Sequence, residues 1–131
     1  MSPTGFHHIN FIVRDLDEAI ANYERMLGVA PFVVVDHPLR GARAARTRVG
    51  ECWLVLVCPY DAESVPGRFL AEHGEGFFLL SLGVKDLDQS LEQLGSDAKQ
   101  RAGILDWRVA DIGVVHGALM QLTEDDSNVG N

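Results

Sequence analysis

The chain is predicted to be an α+β fold in which two half-sheets close side by side into a cupped, partly open mixed sheet with the helices outside, the second half being shortened. Three observations predict it. First, the stretch FHHINFIVRDLDEAIANYERMLG (Phe6 to Gly28) returns in weakened form as GFFLLSLGVKDLDQSLEQLG (Gly76 to Gly95), with Val13-Arg14-Asp15-Leu16-Asp17 aligned on Val84-Lys85-Asp86-Leu87-Asp88 without a gap. Second, in each copy a run with two-residue alternation passes through Asp-Leu-Asp into apolar residues three and four apart, which reads as strand, N-cap, helix. Third, Leu54-Val55-Leu56 closes the first half as Met120-Gln121-Leu122 closes the second. Each half is then a strand, a helix and about three further strands.

The first strand is expected at about Phe6 to Val13, and its helix at about Asp17 to Leu27, where Gly28 supplies the stop and Leu16, Ile20, Tyr23 and Leu27 form one stripe. A second apolar run, Pro31 to Val35, is broken by Asp36-His37-Pro38. Cys52 to Val57 reads as another strand, Pro59 to Pro66 as a turn-rich linker, and Gly67 to His73 as a short helix ended by Gly74. The second copy runs from Phe77 with a helix about one turn shorter, leaving about Gly103 to Thr123 for the later strands. Residues 1–124 thus form a single domain, with module one at about 5–58, the linker and short helix at about 59–75, module two at about 76–124, and 125–131 a flexible tail.

At 131 residues and 47% hydrophobic composition the chain can build a core without disulfides or metal. A net charge of −8 argues against nucleic acid or an anionic membrane as partner, since both need a basic footprint. Arg40, Arg43, Arg46 and Arg48 are the local exception. They read either as a contact for an anionic group on a ligand or as a solvated strand edge kept from aggregating by charge. Cys52 and Cys58 in one strand stand ~20 Å apart at ~3.3 Å per residue, too far for a disulfide, and no apolar run reaches a membrane span. A reducing cytoplasm fits these features.

Alternation also sorts side chains by face. His7, Ile9, Phe11 and Val13 should pack on the helices and leave His8, Asn10 and Ile12 for the cup. The repeat turns Leu79, Ser81 and Gly83 inward, and the same parity adds Trp53, Val55 and Val57 from one late strand and Leu119, Gln121 and Thr123 from the other. An apolar wall with a few hydrogen-bonding groups suits a small-molecule pocket, while the competing reading is a filled barrel core with Trp53 inside it.

The residues His8-Ile9-x-Phe11-x-Val13-x-Asp15-Leu16, Tyr23-x-x-x-Leu27-Gly28, Pro59 with Glu63-Ser64, Phe69-Leu70-x-x-His73-Gly74-Glu75-Gly76 and His116-Gly117-Ala118-Leu119-x-Gln121-Leu122 together resemble the vicinal oxygen chelate superfamily, most closely its methylmalonyl-CoA epimerase and glyoxalase-like branch. The resemblance spans Gly5 to Glu124. It implies paired βαβββ modules, commonly a homodimer, and a divalent metal with one ligand from each of four strands, at positions that map onto His8, Val55, Leu79 and Gln121. Only His8 is the family's usual ligand type at its place, and Gln121 stands where a carboxylate is usual. One imidazole and one neutral amide are a weak, incomplete set for a divalent ion, and an amide cannot shuttle a proton. No cofactor is therefore expected firmly. His7 has the wrong parity, His37 sits in a Pro-broken turn and His73 at a helix end, while His116 points away from Gln121 unless a bulge intervenes.

Three functional readings remain open at this point. One is an isomerase or lyase on a small carbonyl or acyl compound, including a CoA thioester, with His8 as proton-transfer group, Asn10 and Gln121 orienting the substrate oxygen, and Trp53, Val55, Leu79, Ser81, Leu119 and Arg46 binding the rest. Another is a non-catalytic binding or sequestration protein of the bleomycin-resistance type. The third is a working metalloenzyme whose shell is completed by water or neighbouring groups.

Overall fold

Capping and alternation operate where the residue types place them. In the computed structural model, which describes residues 2–125, β1 covers Gly5–Ile12 and α1 covers Leu16–Leu27. The Asp15 carboxylate accepts the Glu18 backbone N–H at 3.0 Å, satisfying one of the donors that a helix start leaves over. Gly28 ends the helix in the left-handed region, at φ 70°, where a residue without Cβ meets no clash. The second copy reproduces the device: α2 (Val65–His73) leads to β5 (Gly76–Val84), and Asp86 caps α3 (Leu87–Gln93) by accepting the Gln89 N–H at 2.9 Å.

The chain forms two compact units. One runs from His8 to Phe78, and the other joins the chain up to His7 to the chain from Leu79 onward. In the first, β2 (Val33–His37), β3 (Ala42–Val49) and β4 (Cys52–Pro59) follow α1, and the strand order is β2-β3-β4-β1. Strand β1 runs parallel to β4, and the other two pairings are antiparallel. In the second, β6 (Gln100–Ala102), β7 (Arg108–Val115) and β8 (Ala118–Glu124) follow α3 in the order β5-β8-β7-β6, again with the first and last strands parallel. Each half is thus a βαβββ module of the α+β class. The registers agree as well, because Asn10 lies opposite Val55 as Ser81 lies opposite Gln121.

Each module buries one sheet face under its helix. Val13, Leu16, Ala45 and Leu56 form one cluster, with Phe11, Ile20 and Tyr23 against it. Val84, Leu87, Leu91, Ala110 and Leu122 form the other, with Leu82 and Ile112 alongside. On β1, β4, β5 and β8 these are the strand positions that period-two counting sends under the helices; on β7 a register shift puts Ala110 and Ile112 there instead.

Several expected boundaries move. Leu27 is 63% exposed and leaves the α1 stripe, and it is not among the residues packed on the cluster under α1. Strand β2 starts at Val33 and keeps Asp36 and His37, so the break falls at Pro38, which opens a single 3-10 turn over Pro38–Arg40. The arginine segment is no edge: β3 is hydrogen-bonded to β2 on one side and β4 on the other. Helix α2 begins at Val65 rather than Gly67, since Ser64 accepts the Gly67 N–H at 3.1 Å and Pro66 fits a first turn, where no N–H is needed. Gly67 is there for close approach, as a Cβ would sit 2.1 Å from the Asp61 carbonyl oxygen. Strand β6 precedes Gly103. At the C-terminal end Asp125 donates its N–H to the Val84 carbonyl and accepts from Thr4 Oγ1; residues 126–131, where a tail is expected, lie outside the described residues.

Candidate functional site

Paired residues on neighbouring strands share a face, so the register of the first unit collects the side chains that α1 does not cover. His8 lies opposite Trp53, Asn10 opposite Val55, and Arg46 opposite Val55 from the other side. His8 is 2% exposed and Val55 1%. The Arg46 guanidinium carbon stands 4.0 Å from the centroid of the Trp53 ring and that of Arg48 stands 4.8 Å from it, a double cation-π stack. Partial burial, and next the charge of Arg48, lower the Arg46 pKa, so an anion placed there would relieve the repulsion between them. Asn10 Oδ1 is buried with no hydrogen-bond partner. Such an atom costs about 1–3 kcal/mol, and a sealed core seldom keeps one. A further unpartnered atom, Thr47 Oγ1, sits on β3 at a helix-side position, outside this face.

In the second unit Leu79, Ser81, Leu119, Gln121 and Thr123 occupy the corresponding face. Ser81 and Thr123 spend their hydroxyls on each other at 2.6 Å, and both are fully buried. Gln121 is 3% exposed and donates Nε2–H to Asp111 Oδ1 at 3.0 Å. Asp111 is in turn held by Arg101, whose Nε reaches Oδ2 at 2.7 Å and whose second nitrogen reaches Oδ1 at 3.1 Å. Gln121 Oε1 is buried with no partner.

Asp111 and Arg101 are the residues that sequence reasoning missed. Counting back along the β7–β8 hairpin from the pair Val115 and Ala118 puts Ile112 opposite Gln121 and sends Asp111 to the helix side. A bulge between Asp111 and Gly113 inserts one residue and brings Asp111 opposite Gln121 instead. Module equivalence was the available signal: Asp111 faces Gln121 as Arg46 faces Val55.

The remaining histidines lie elsewhere. His7 packs edge-on to Trp107 at 4.8 Å, His37 is on β2, His73 lies beside Glu72 at the end of α2, and His116 is in the β7–β8 turn at φ 49°. The four positions mapped for metal ligands do not fit a divalent ion. Val55 and Leu79 carry no lone pair, Gln121 offers only a neutral amide oxygen, and no group of three His, Cys, Asp or Glu among the described residues could hold a metal. Both cysteines are free thiols, and among the described residues no helix is long and apolar enough to cross a membrane.

Two βαβββ modules with matching registers define a vicinal oxygen chelate fold. The model of the glyoxalase/bleomycin resistance protein/dioxygenase superfamily matches residues 7–110, and the chain belongs to that superfamily. Among solved structures, methylmalonyl-CoA epimerase from Mycobacterium tuberculosis is 29% identical with a TM-score of 0.84, over 97% of this chain and 91% of that one. A variant of Streptomyces coelicolor methylmalonyl-CoA epimerase in complex with 2-nitronate-propionyl-CoA is 25% identical with a TM-score of 0.86, over 95% of this chain and 99% of that one. A hypothetical protein from Bacillus halodurans C-125 shares the fold at 23% identity, with a TM-score of 0.83 over 92% of this chain and 94% of that one. No curated protein matches the sequence.

Proposed function

We propose that the chain is an isomerase or lyase acting on a small carbonyl or acyl compound, with a CoA thioester as the first candidate, and that it works without a bound metal. The observation that carries this reading is the β1 face. There His8 and Asn10 alternate beside the Arg46-covered Trp53, with Asn10 Oδ1 buried and unpartnered as a ligand-binding group is and a core amide is not. In this role His8 takes the proton from the carbon next to the carbonyl, the electron pair moves onto the oxygen, and the imidazolium returns the proton. On the face of the first unit Asn10 holds an oxygen function of the substrate, Val55 supplies apolar surroundings and Arg46 meets the anionic carrier; on the face of the second unit, taken by itself, Gln121 is the polar contact and Leu79 and Leu119 are the apolar ones. The CoA ligand of the Streptomyces relative supports that choice of carrier. A cytoplasmic homodimer is part of the same reading.

The test is incubation with methylmalonyl-CoA in heavy water, read by mass spectrometry. Wild type should place deuterium at the acyl α-carbon and His8→Ala should not; full exchange by His8→Ala rules out the role of His8.

A second reading, sequestration of a ligand without chemistry, is favoured by one feature. Val55 and Leu79, each 1% exposed, make the metal positions greasier and add no reactive group. Tight binding of an acyl-CoA that stays unchanged through a long incubation selects it.

A further inference from the structure

Arg101 and Asp111 are unused by the catalytic reading, and through Gln121 they determine something about the ligand. A carboxylate only accepts hydrogen bonds, so Asp111 can bond the Gln121 amide only through its NH2 end. Arg101 engages both Asp111 oxygens, which fixes that carboxylate in place and keeps the polarity of the chain in one direction. The other end of the amide is then Oε1, an acceptor, buried and unpartnered on the face that α3 does not cover.

We propose that Asp111 and Arg101 are positioning residues that turn Gln121 Oε1 toward the ligand, so that the ligand atom bound there is a hydrogen-bond donor, a hydroxyl. The inference rests on the small-molecule reading above and sharpens it. A bare carbonyl oxygen, itself an acceptor, is repelled at this position, whereas a hydroxy-carbonyl compound or the enol form of a carbonyl is bound. Neutral probes separate the two chemistries without involving the arginines of β3. Hydroxyacetone and methoxyacetone share a ketone and differ in whether the second oxygen carries a proton. A site that loses one buried hydrogen bond should discriminate between them by about tenfold.

The experiment is a titration of isotope-labelled full-length protein with each probe, following by NMR the methyl signals of Leu79 and Leu119 and the side-chain amide of Gln121. Expected are tighter binding of hydroxyacetone by about tenfold and a shift of the Gln121 amide signal with hydroxyacetone. Asp111→Asn should reduce the preference to within about twofold, because an asparagine can bond either end of the glutamine amide. Gln121→Met, which keeps the volume and removes the acceptor, should do the same. Equal binding of the two probes by wild type overturns the proposal and leaves the small-molecule reading standing. So does a preference that survives both substitutions. Binding of neither probe overturns the proposal together with the reading on which it rests.

Discussion

The Ser81 and Thr123 pair offers a quantitative test of how dry the sheet face around Gln121 is. Both residues are at 0% exposure and their oxygens are 2.6 Å apart, so each hydroxyl has the other as its partner. Ser81→Ala leaves the Thr123 hydroxyl buried and unsatisfied, and Thr123→Val does the reverse while conserving shape. Each should cost about 1–3 kcal/mol. The double variant replaces both partners by apolar groups of nearly the same size and should be close to neutral relative to either single one, giving a coupling energy of about 1–3 kcal/mol. For a chain of this length 1 kcal/mol is about 3–5 °C in Tm, so the single variants should melt about 3–15 °C lower. Urea denaturation with linear extrapolation measures all four proteins, and an unchanged m value confirms that the stability of one native state is being compared. Single-variant costs that simply add in the double variant, within about 0.5 kcal/mol, refute the reasoning. They would mean that each hydroxyl has another partner, such as water, and that this face is wet.

Three further outcomes follow from the same geometry. Leu56→Ala, at 0% exposure in the α1 cluster, should lose about 3–4 kcal/mol in the same assay, while Leu27→Ala at 63% exposure should lose less than about 0.5 kcal/mol; similar costs would undo the assignment of faces. Arg46→Ala should weaken CoA binding several-fold in calorimetry, reduce its salt dependence and alter Trp53 emission, and unchanged affinity would remove the anion-binding role. Burial pushes the thiols of Cys52 and Cys58 up, so at neutral pH both should react with iodoacetamide more slowly in the folded protein than in urea. Because the fold favours the protonated thiols, their contribution to stability is present below the ordinary thiol pKa and declines as pH rises past it. Alkylation as fast folded as unfolded contradicts that burial.

The module structure was legible because its signals are local. An Asp before a helical stripe, a glycine after it and a two-residue alternation are each set by the nearest few residues, and their recurrence at Asp86 and Leu87 needs no tertiary knowledge. The boundary errors have equally local causes. Turn composition counts Pro66 with the linker although prolines are tolerated in a first turn, and three-residue β6 is too short to alternate.

The sequence by itself determined the two βαβββ modules and the helix-covered face of β1, β4, β5 and β8, since parity and residue chemistry travel with the chain. Only the tertiary structure decided what stands beside Gln121. Register is a property of two strands, and a one-residue bulge reverses every side chain beyond it. That bulge brings Asp111 opposite Gln121, and the short β6 delivers Arg101 to clamp it. A carboxylate that strand counting sends to the helix side thereby takes the NH2 end of the glutamine amide and leaves Oε1 buried without a partner.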